Sequence, residues 1–191
     1  NNLVPSAVDI YSESSDLIVK SDLMLEMSGQ RIIPDEGNGW NFTALRDINF
    51  YLQYSHNCTE VNARNRYDGV ARFFRAYFYF EKVKRYGDIP WYDKALDSDD
   101  PELYKARDSR EFVMQKMLED LDFAIANLPK TKNAYVLTRW TALALKSRVC
   151  LFEGTFRKYH GLEDYEKYLN ACVSASETFM NESGYTLYKS G

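Results

Sequence analysis

Histidine and cysteine, common catalytic bases and nucleophiles, are few in this sequence and are not grouped. The 191 residues include two histidines, His56 and His160, and neither has the spacing of a metal-ligand pair such as HExxH. The sequence has no GxSxG motif, no glycine-rich phosphate loop and no CxxC pair. It therefore predicts a protein that is not an enzyme, with no catalytic residues, no cofactor and no metal centre.

Carboxylates are the remaining candidates for acid–base or metal chemistry, and two stretches place several of them close together. Glu119, Asp120 and Asp122 lie in a helical pattern, where we expect them to face solvent as a hydrated surface. The acidic run at 97–100 offers oxygen atoms to a hard cation such as calcium, but it lacks the full EF-hand pattern. We interpret this run as a solvated loop.

Aromatic and amide side chains favour a different chemistry, the binding of sugars. A sugar lays its apolar face on an aromatic ring, while amides or carboxylates hold its hydroxyl groups. Trp40 lies in a glycine-rich loop beside Asn38 and Asn41 and so has suitable neighbours. Trp91 and Tyr92 follow a turn and are further candidates for ligand binding. For each tryptophan the alternative is a packing role, in which the ring anchors its loop to the helices.

The cysteines do not indicate a disulfide framework. Cys58, Cys150 and Cys172 are odd in number and have no CxxC spacing. The latter two fall on apolar helical faces, where a free cysteine behaves as a small hydrophobic residue. We predict buried thiols at all three positions.

Composition excludes some classes of partner. A net charge of −4 argues against a nucleic acid, because phosphate binding depends on clustered lysine and arginine. No run of about 18 apolar residues is present to span a membrane. Aromatic residues reach 15%, an excess that either thick helix packing or exposed ligand-stacking rings would explain.

Apolar residues recur at helical spacing along most of the chain, and glycine and proline mark the breaks. The most apolar segment, 70–80, should be a central helix that is buried between its neighbours. We predict an all-α fold, with helices near 16–28, 42–55, 66–86, 109–128, 138–156 and 163–181.

The last four of these helices form two antiparallel pairs, at 66–128 and 138–181, which predict a tetratricopeptide-like stack of helix hairpins. Close helix packing at Ala144 predicts that Ala144→Glu is severely destabilising, because it would bury an unpaired charge. The shared core is expected to contain Phe74, Tyr77, Leu121, Ala144 and Leu151.

Four segments, in this order and at this spacing, resemble the SusD/RagB family of surface lipoproteins that accompany TonB-dependent transporters in Bacteroidetes. The order and spacing of these segments agree with the family over about two-thirds of the chain. The segments are Phe73 to Phe80 with Arg85 to Pro90, Asp108 to Pro129, Ala142 to Val149 with Glu153 to His160, and Tyr165 to Tyr188.

The resemblance implies a non-catalytic glycan- or oligosaccharide-binding component of a nutrient uptake system at the outer membrane. It implies a TonB-dependent, SusC-like transporter as partner, and a surface lipoprotein whose lipid anchor is absent from this chain. Family members are longer, so residues 1–191 are expected to be a single helical domain and an N-terminal piece. Two alternatives stay open, a helical-repeat scaffold for protein–protein contact and a binder of peptides rather than glycans.

Overall fold

A computed structural model describes residues 29–30 and 39–187. The predicted helix at 16–28 and the candidate ligand residue Asn38 lie outside this described part. A boundary between Ala44 and Leu45 divides the chain into two units, and the prediction of one domain over 1–191 stays a prediction. The helices are α1 (Thr43–Tyr54), α2 (Val61–Tyr86), α3 (Arg110–Asn127), α4 (Arg139–Tyr159) and α5 (Tyr165–Glu182), with short 3-10 helices at Ser55–Asn57 and Pro101–Tyr104.

Local capping sets the ends of these helices. The Ser109 hydroxyl accepts a hydrogen bond from the Phe112 N–H at the start of α3, and Thr138 forms a capping box with Thr141 at the start of α4. Helix α2 begins at Val61, five residues before the predicted start, because the Glu60 carboxylate caps its first turn. It ends at Gly87, whose φ of 69° belongs to the left-handed region that glycine adopts easily.

Helices α2 and α3 form one antiparallel hairpin, and α4 and α5 form a second. Along the first hairpin Arg75 pairs with Asp120, whereas the earlier Gly69 packs against the later Leu128. In the second hairpin, a small core of Trp140, Leu143 and Ala175 joins α4 to α5. The predicted all-α, tetratricopeptide-like arrangement is confirmed, and the described residues contain helices and no strand.

The predicted core is only partly correct. Leu121 is fully buried, but Phe74 and Tyr77 are half-buried. Ala144 is exposed, and Leu151 is 50% exposed, so the prediction for both was wrong. Both residues lie about 100° around α4 from buried neighbours, on a face that neither α3 nor α5 covers. The expected severe effect of Ala144→Glu therefore loses its basis, because the new carboxylate would reach solvent.

The cysteine prediction also needs correction. Cys150 is buried as expected, and burial raises the pKa of its thiol to about 12. Cys172 is half-buried beside the Ser147 hydroxyl, 3.4 Å from its sulfur. Cys58 is exposed, because it lies in the short connection that follows the 3-10 helix Ser55–Asn57. The prediction of buried thiols was thus wrong for Cys58.

Gly154 sets the approach of α4 to α5. A Cβ at this position would lie 2.7 Å from Leu169 Cδ2 and 3.2 Å from the Leu169 backbone nitrogen. We expect Gly154→Ala to lower the free energy of unfolding by about 1–2 kcal/mol, because overpacking outweighs the gain in helix propensity. Urea unfolding measures this change.

Gly69 supplies the matched control for that substitution. It is also a buried helical glycine, but a Cβ there would meet Leu128 at 3.5 Å, an ordinary contact distance. Gly69→Ala should therefore be neutral or stabilise the protein by up to about 1 kcal/mol. Equal effects at the two glycines would show that the close approach of α4 to α5 does not determine the result.

Candidate ligand-binding site

The connection between α2 and α3 is held together at its base. The Arg110 N–H donates to Asp88 Oδ1 at 2.8 Å, and the Ile89 N–H donates to the Asp108 carbonyl at 3.2 Å. The Trp91 N–H donates to Asp108 Oδ2 at 2.7 Å. These bonds fix the backbone on which two of the candidate ligand residues, Trp91 and Tyr92, lie.

Trp91 lies in the core. Its side chain is 5% exposed and stacks on the Tyr79 ring with centroids 4.2 Å apart. The Arg75 guanidinium lies 5.2 Å from the indole centroid. The Tyr79 hydroxyl accepts from the Tyr92 N–H at 2.6 Å, and burial raises the pKa of that hydroxyl. This placement favours the packing interpretation of Trp91 over a ring that faces a ligand.

Tyr92 is half-buried and organises the same loop. Its hydroxyl lies 3.2 Å from the carbonyl oxygen of Glu102, in the short 3-10 helix Pro101–Tyr104. The Lys105 ammonium lies 5.1 Å from the centre of its ring. Its backbone carbonyl accepts from Asn49 Nδ2 at 2.8 Å, which ties the loop to α1.

Trp40 and Asn41 belong to the other unit of the chain. Trp40 is 36% exposed, and its ring meets Phe42 edge-on with centroids 5.3 Å apart. Asn41 is exposed, and its Oδ1 accepts from the Thr43 N–H at 2.8 Å in the first turn of α1. Trp40 thus has both an aromatic neighbour that orients it and a solvent-facing surface that a sugar ring could contact.

A buried polar cluster connects α1, α2 and α3, and the sequence did not reveal it. Arg75 donates from Nε to Asp120 Oδ2 at 2.6 Å and from Nη2 to Oδ1 at 2.8 Å. Its Nη1 donates to Asn49 Oδ1 at 3.1 Å. Asp120 is only 2% exposed, so the prediction that it faces solvent was wrong. Its actual partner lies 45 positions earlier, on the facing helix.

A second buried cluster joins the two hairpins. Glu153 is fully buried and accepts from Arg110 Nε at 2.8 Å and from Arg157 Nε at 2.9 Å. Arg157 also donates from Nη1 to the Glu163 carbonyl at 3.0 Å, beyond the end of α4. Arg157 Nη2 also lies 3.6 Å from Glu111 Oε2, so each charge has an opposite charge nearby, and the arrangement supports the fold rather than a reaction.

The two histidines and the acidic run at 97–100, which the sequence offered as candidates for chemistry, have structural partners. His56 Nδ1 lies 2.9 Å from the Gln53 carbonyl, and His160 Nδ1 lies 2.7 Å from the Phe156 carbonyl. In the acidic run at 97–100, Asp100 caps the 3-10 helix Pro101–Tyr104 and pairs with Lys94 at 3.6 Å. Within residues 29–30 and 39–187, no group of three or more His, Cys, Asp or Glu side chains could hold a metal ion.

A family model described as starch-binding and associating with the outer membrane, SusD-like_2, matches residues 35–139. The chain belongs to the SusD-like family. This family assignment agrees with the resemblance drawn from the motifs. Of the helices in the described part, none combines the length and apolar character needed to cross a membrane.

Individual SusD-like proteins show the same relationship. SusD-like protein P38 from Formosa agariphila is 29% identical over 87 residues, which are 46% of this chain and 17% of that protein. A SusD-like protein structure from Bacteroides fragilis has 28% identity and a TM-score of 0.62, over 75% of this chain and 26% of that one. A structure solved with xylogluco-oligosaccharide has the same fold, with 22% identity and a TM-score of 0.64, over 77% of this chain and 29% of that one. The chain thus spans less than a third of the length of these relatives.

Proposed function

We propose that this SusD-like chain is part of a non-catalytic component that binds glycans or oligosaccharides. The observation that carries the proposal is the partly exposed Trp40 ring in a chain whose family is described as starch-binding. A solved relative of the same fold was crystallised with xylogluco-oligosaccharide, which supports the ligand class. The two histidines and the buried carboxylates are occupied by structural hydrogen bonds, so a binding role accounts for the side chains better than catalysis does.

We further propose a location and a partner for the whole protein. The family description associates these proteins with the outer membrane, and this supports a surface-exposed lipoprotein. Its partner is a TonB-dependent, SusC-like transporter that takes up the bound ligand. Membrane attachment is through a lipid anchor.

Within the chain, the ligand contacts are assigned to Trp40 with Asn38 and Asn41. The exposed indole supplies the stacking surface, and the two amides supply hydrogen bonds to sugar hydroxyls. Trp91 and Tyr92, the other two candidates, act by shaping and holding the loop at 88–105.

Calorimetric titration with xylogluco-oligosaccharide and with soluble starch tests this assignment. Residues 1–191 should bind weakly, in the millimolar range, because one stacking ring contributes only about 1 kcal/mol. Trp40→Ala should weaken that binding about fivefold, and Trp40→Phe should retain most of it. Tyr135→Ala, which removes an almost fully exposed ring elsewhere, is the matched control and should change nothing.

Two results would redirect the proposal. Tight binding by residues 1–191 that survives Trp40→Ala would reject the tryptophan assignment. Failure of the full-length protein to bind any glycan, together with binding of peptides, would make the ligand a peptide. If it bound neither, the scaffold alternative would be favoured, and the exposed apolar residues Leu151, Val173 and Met180 on α4 and α5 would then be the surface to examine.

A further inference from the structure

The outward face of α1 carries aromatic rings where a solvated helix normally carries charges. Phe50 and Tyr54 are 53% and 47% exposed, one turn apart, with ring centroids 4.8 Å apart. They lie opposite Leu45 and Asn49, which are the buried residues of the helix. Exposed apolar rings at this density indicate a contact surface.

Two further exposed rings lie close by, at the junction of α1 with the first half of α2. Tyr51 is exposed, and burial of its hydroxyl end together with the nearby Asp68 carboxylate raises its pKa. Tyr67, which precedes Asp68 in α2, is 56% exposed. Exposed rings thus flank Asp68 on both helices, Tyr51 through its hydroxyl and Tyr67 through its position in the chain.

A polar pocket of about 320 Å³ opens between the same elements. This volume is at the lower end of the range for small-molecule sites, enough for one sugar unit rather than a chain. Helix α1, helix α2 and the loop after Trp91 each contribute to its wall. The lining residues are Leu52, Gln53, Asp68, Arg72, Arg75 and Asp93.

The pocket combines donors and acceptors and carries both signs of charge, with two carboxylates and two guanidinium groups in its lining. Asp68 Oδ1 and Arg72 Nε have no hydrogen-bond partner among the described residues. Arg75 is already committed to Asp120 and Asn49. A neutral molecule with several hydroxyl groups fits this lining, whereas an ion of either sign would meet a like charge.

We propose that the pocket and the exposed rings of α1 and α2 together form a second saccharide-binding surface, the α1–α2 surface. It does not include Trp40, Asn38 or Asn41, the residues assigned to the first. The pocket holds the hydroxyls of one sugar unit through Gln53, Asp68 and Arg72. The neighbouring units of a longer glycan lie on Phe50 and on the tyrosine rings beside it. Gln53 is one turn from Phe50 on α1, which puts the pocket wall next to the first ring. This inference rests on the proposed glycan-binding function.

Nuclear magnetic resonance titration of residues 1–191 with xylogluco-oligosaccharide separates the two surfaces. We expect shifts of the backbone amides of 50–54 and 67–72, and these shifts should persist in Trp40→Ala. In that background, Phe50→Ala with Tyr54→Ala should weaken the binding measured at these amides about tenfold, and Gln53→Ala about threefold. Tyr104→Ala with Tyr135→Ala removes two highly exposed rings elsewhere and should leave the isotherm unchanged.

The outcomes distinguish this inference from the function on which it rests. If, at saturating ligand, only the amides of Trp40 and its neighbours Asn38 and Asn41 shifted, the second surface would be overturned and the proposed function would stay intact. An isotherm at 50–54 that the double ring variant leaves unchanged would overturn it as well. Because the substituted rings are exposed, an unchanged melting temperature is expected and confirms that each variant is folded. Absence of binding by either surface and by the full-length protein would overturn both proposals.

Discussion

Replacing Asp120 by alanine should lower the free energy of unfolding by about 3–5 kcal/mol, because it leaves the Arg75 guanidinium buried without its counter-charge. Arginine cannot shed its proton to escape this cost. For a chain of this size the loss corresponds to a fall in melting temperature of roughly 6–20 °C. Thermal melting followed by circular dichroism measures it.

Asp122→Ala is the matched control. Asp122 lies two residues further along α3 and pairs with Lys146 at the surface, so its removal should cost less than about 1 kcal/mol. A similar loss for both aspartates would show that the burial of Asp120 has no energetic consequence.

A double replacement tests whether the Arg75–Asp120 pair stabilises the fold or only specifies it. Burial raises the pKa of Asp120, and the hydrogen bonds and charge of Arg75 act in the opposite direction. Taking two charges out of water costs free energy that their attraction offsets only in part, so a well-packed apolar pair of similar volume can replace a buried ion pair. Arg75→Met with Asp120→Leu should therefore recover most of the stability that Asp120→Ala loses. A double variant as unstable as the single one would show that the Asn49 contact, and not the ion pair, is what the fold requires.

Glu153→Ala should have an effect of the same size, about 3–5 kcal/mol, because this fully buried carboxylate is paired with two arginines. Arg110 at the start of α3 and Arg157 at the end of α4 would then repel one another across the vacated position. Urea unfolding with an unchanged m-value would assign the loss to the native state.

Glu119→Ala is the control for Glu153. Glu119 is exposed and pairs with Lys116 one turn away, so the change should stay within about 0.5 kcal/mol. If Glu153→Ala were equally mild, water would have to reach the two guanidinium groups, and the cluster could not be called buried.

Much of the helix pattern was predictable because its signals are local. The stop at Gly87 and the caps at Ser109 and Thr138 act within a few residues, so the sequence alone indicates them. The start of α2 was missed because Glu60, a less usual cap, accepts from the first turn through its longer side chain. Periodicity placed Leu151 in a stripe but could not show that the neighbouring helices leave that side uncovered.

The candidate site was less predictable because its determinants are distant in sequence. Asp120 in a run of acidic residues has the pattern of a solvated face until Arg75 on the facing helix is known. Trp40 and Trp91 both follow loop residues, yet Trp91 is buried because Tyr79 and Arg75 cover it. The order of the family motifs identified the family where no single residue pattern could.

The hydrogen bonds at the base of the α2–α3 connection have a consequence for how such proteins can diversify. Asp88 and Asp108 close the two ends of the loop with hydrogen bonds that do not involve its middle. Lengthening a loop whose ends are already fixed costs little, since doubling its length adds only about 0.6 kcal/mol of closure entropy. Insertions at the exposed tip of the loop, 97–99, should thus leave both hairpins in place. New sequence can therefore be inserted in this loop, by evolution or by design, while the two helix hairpins stay unchanged.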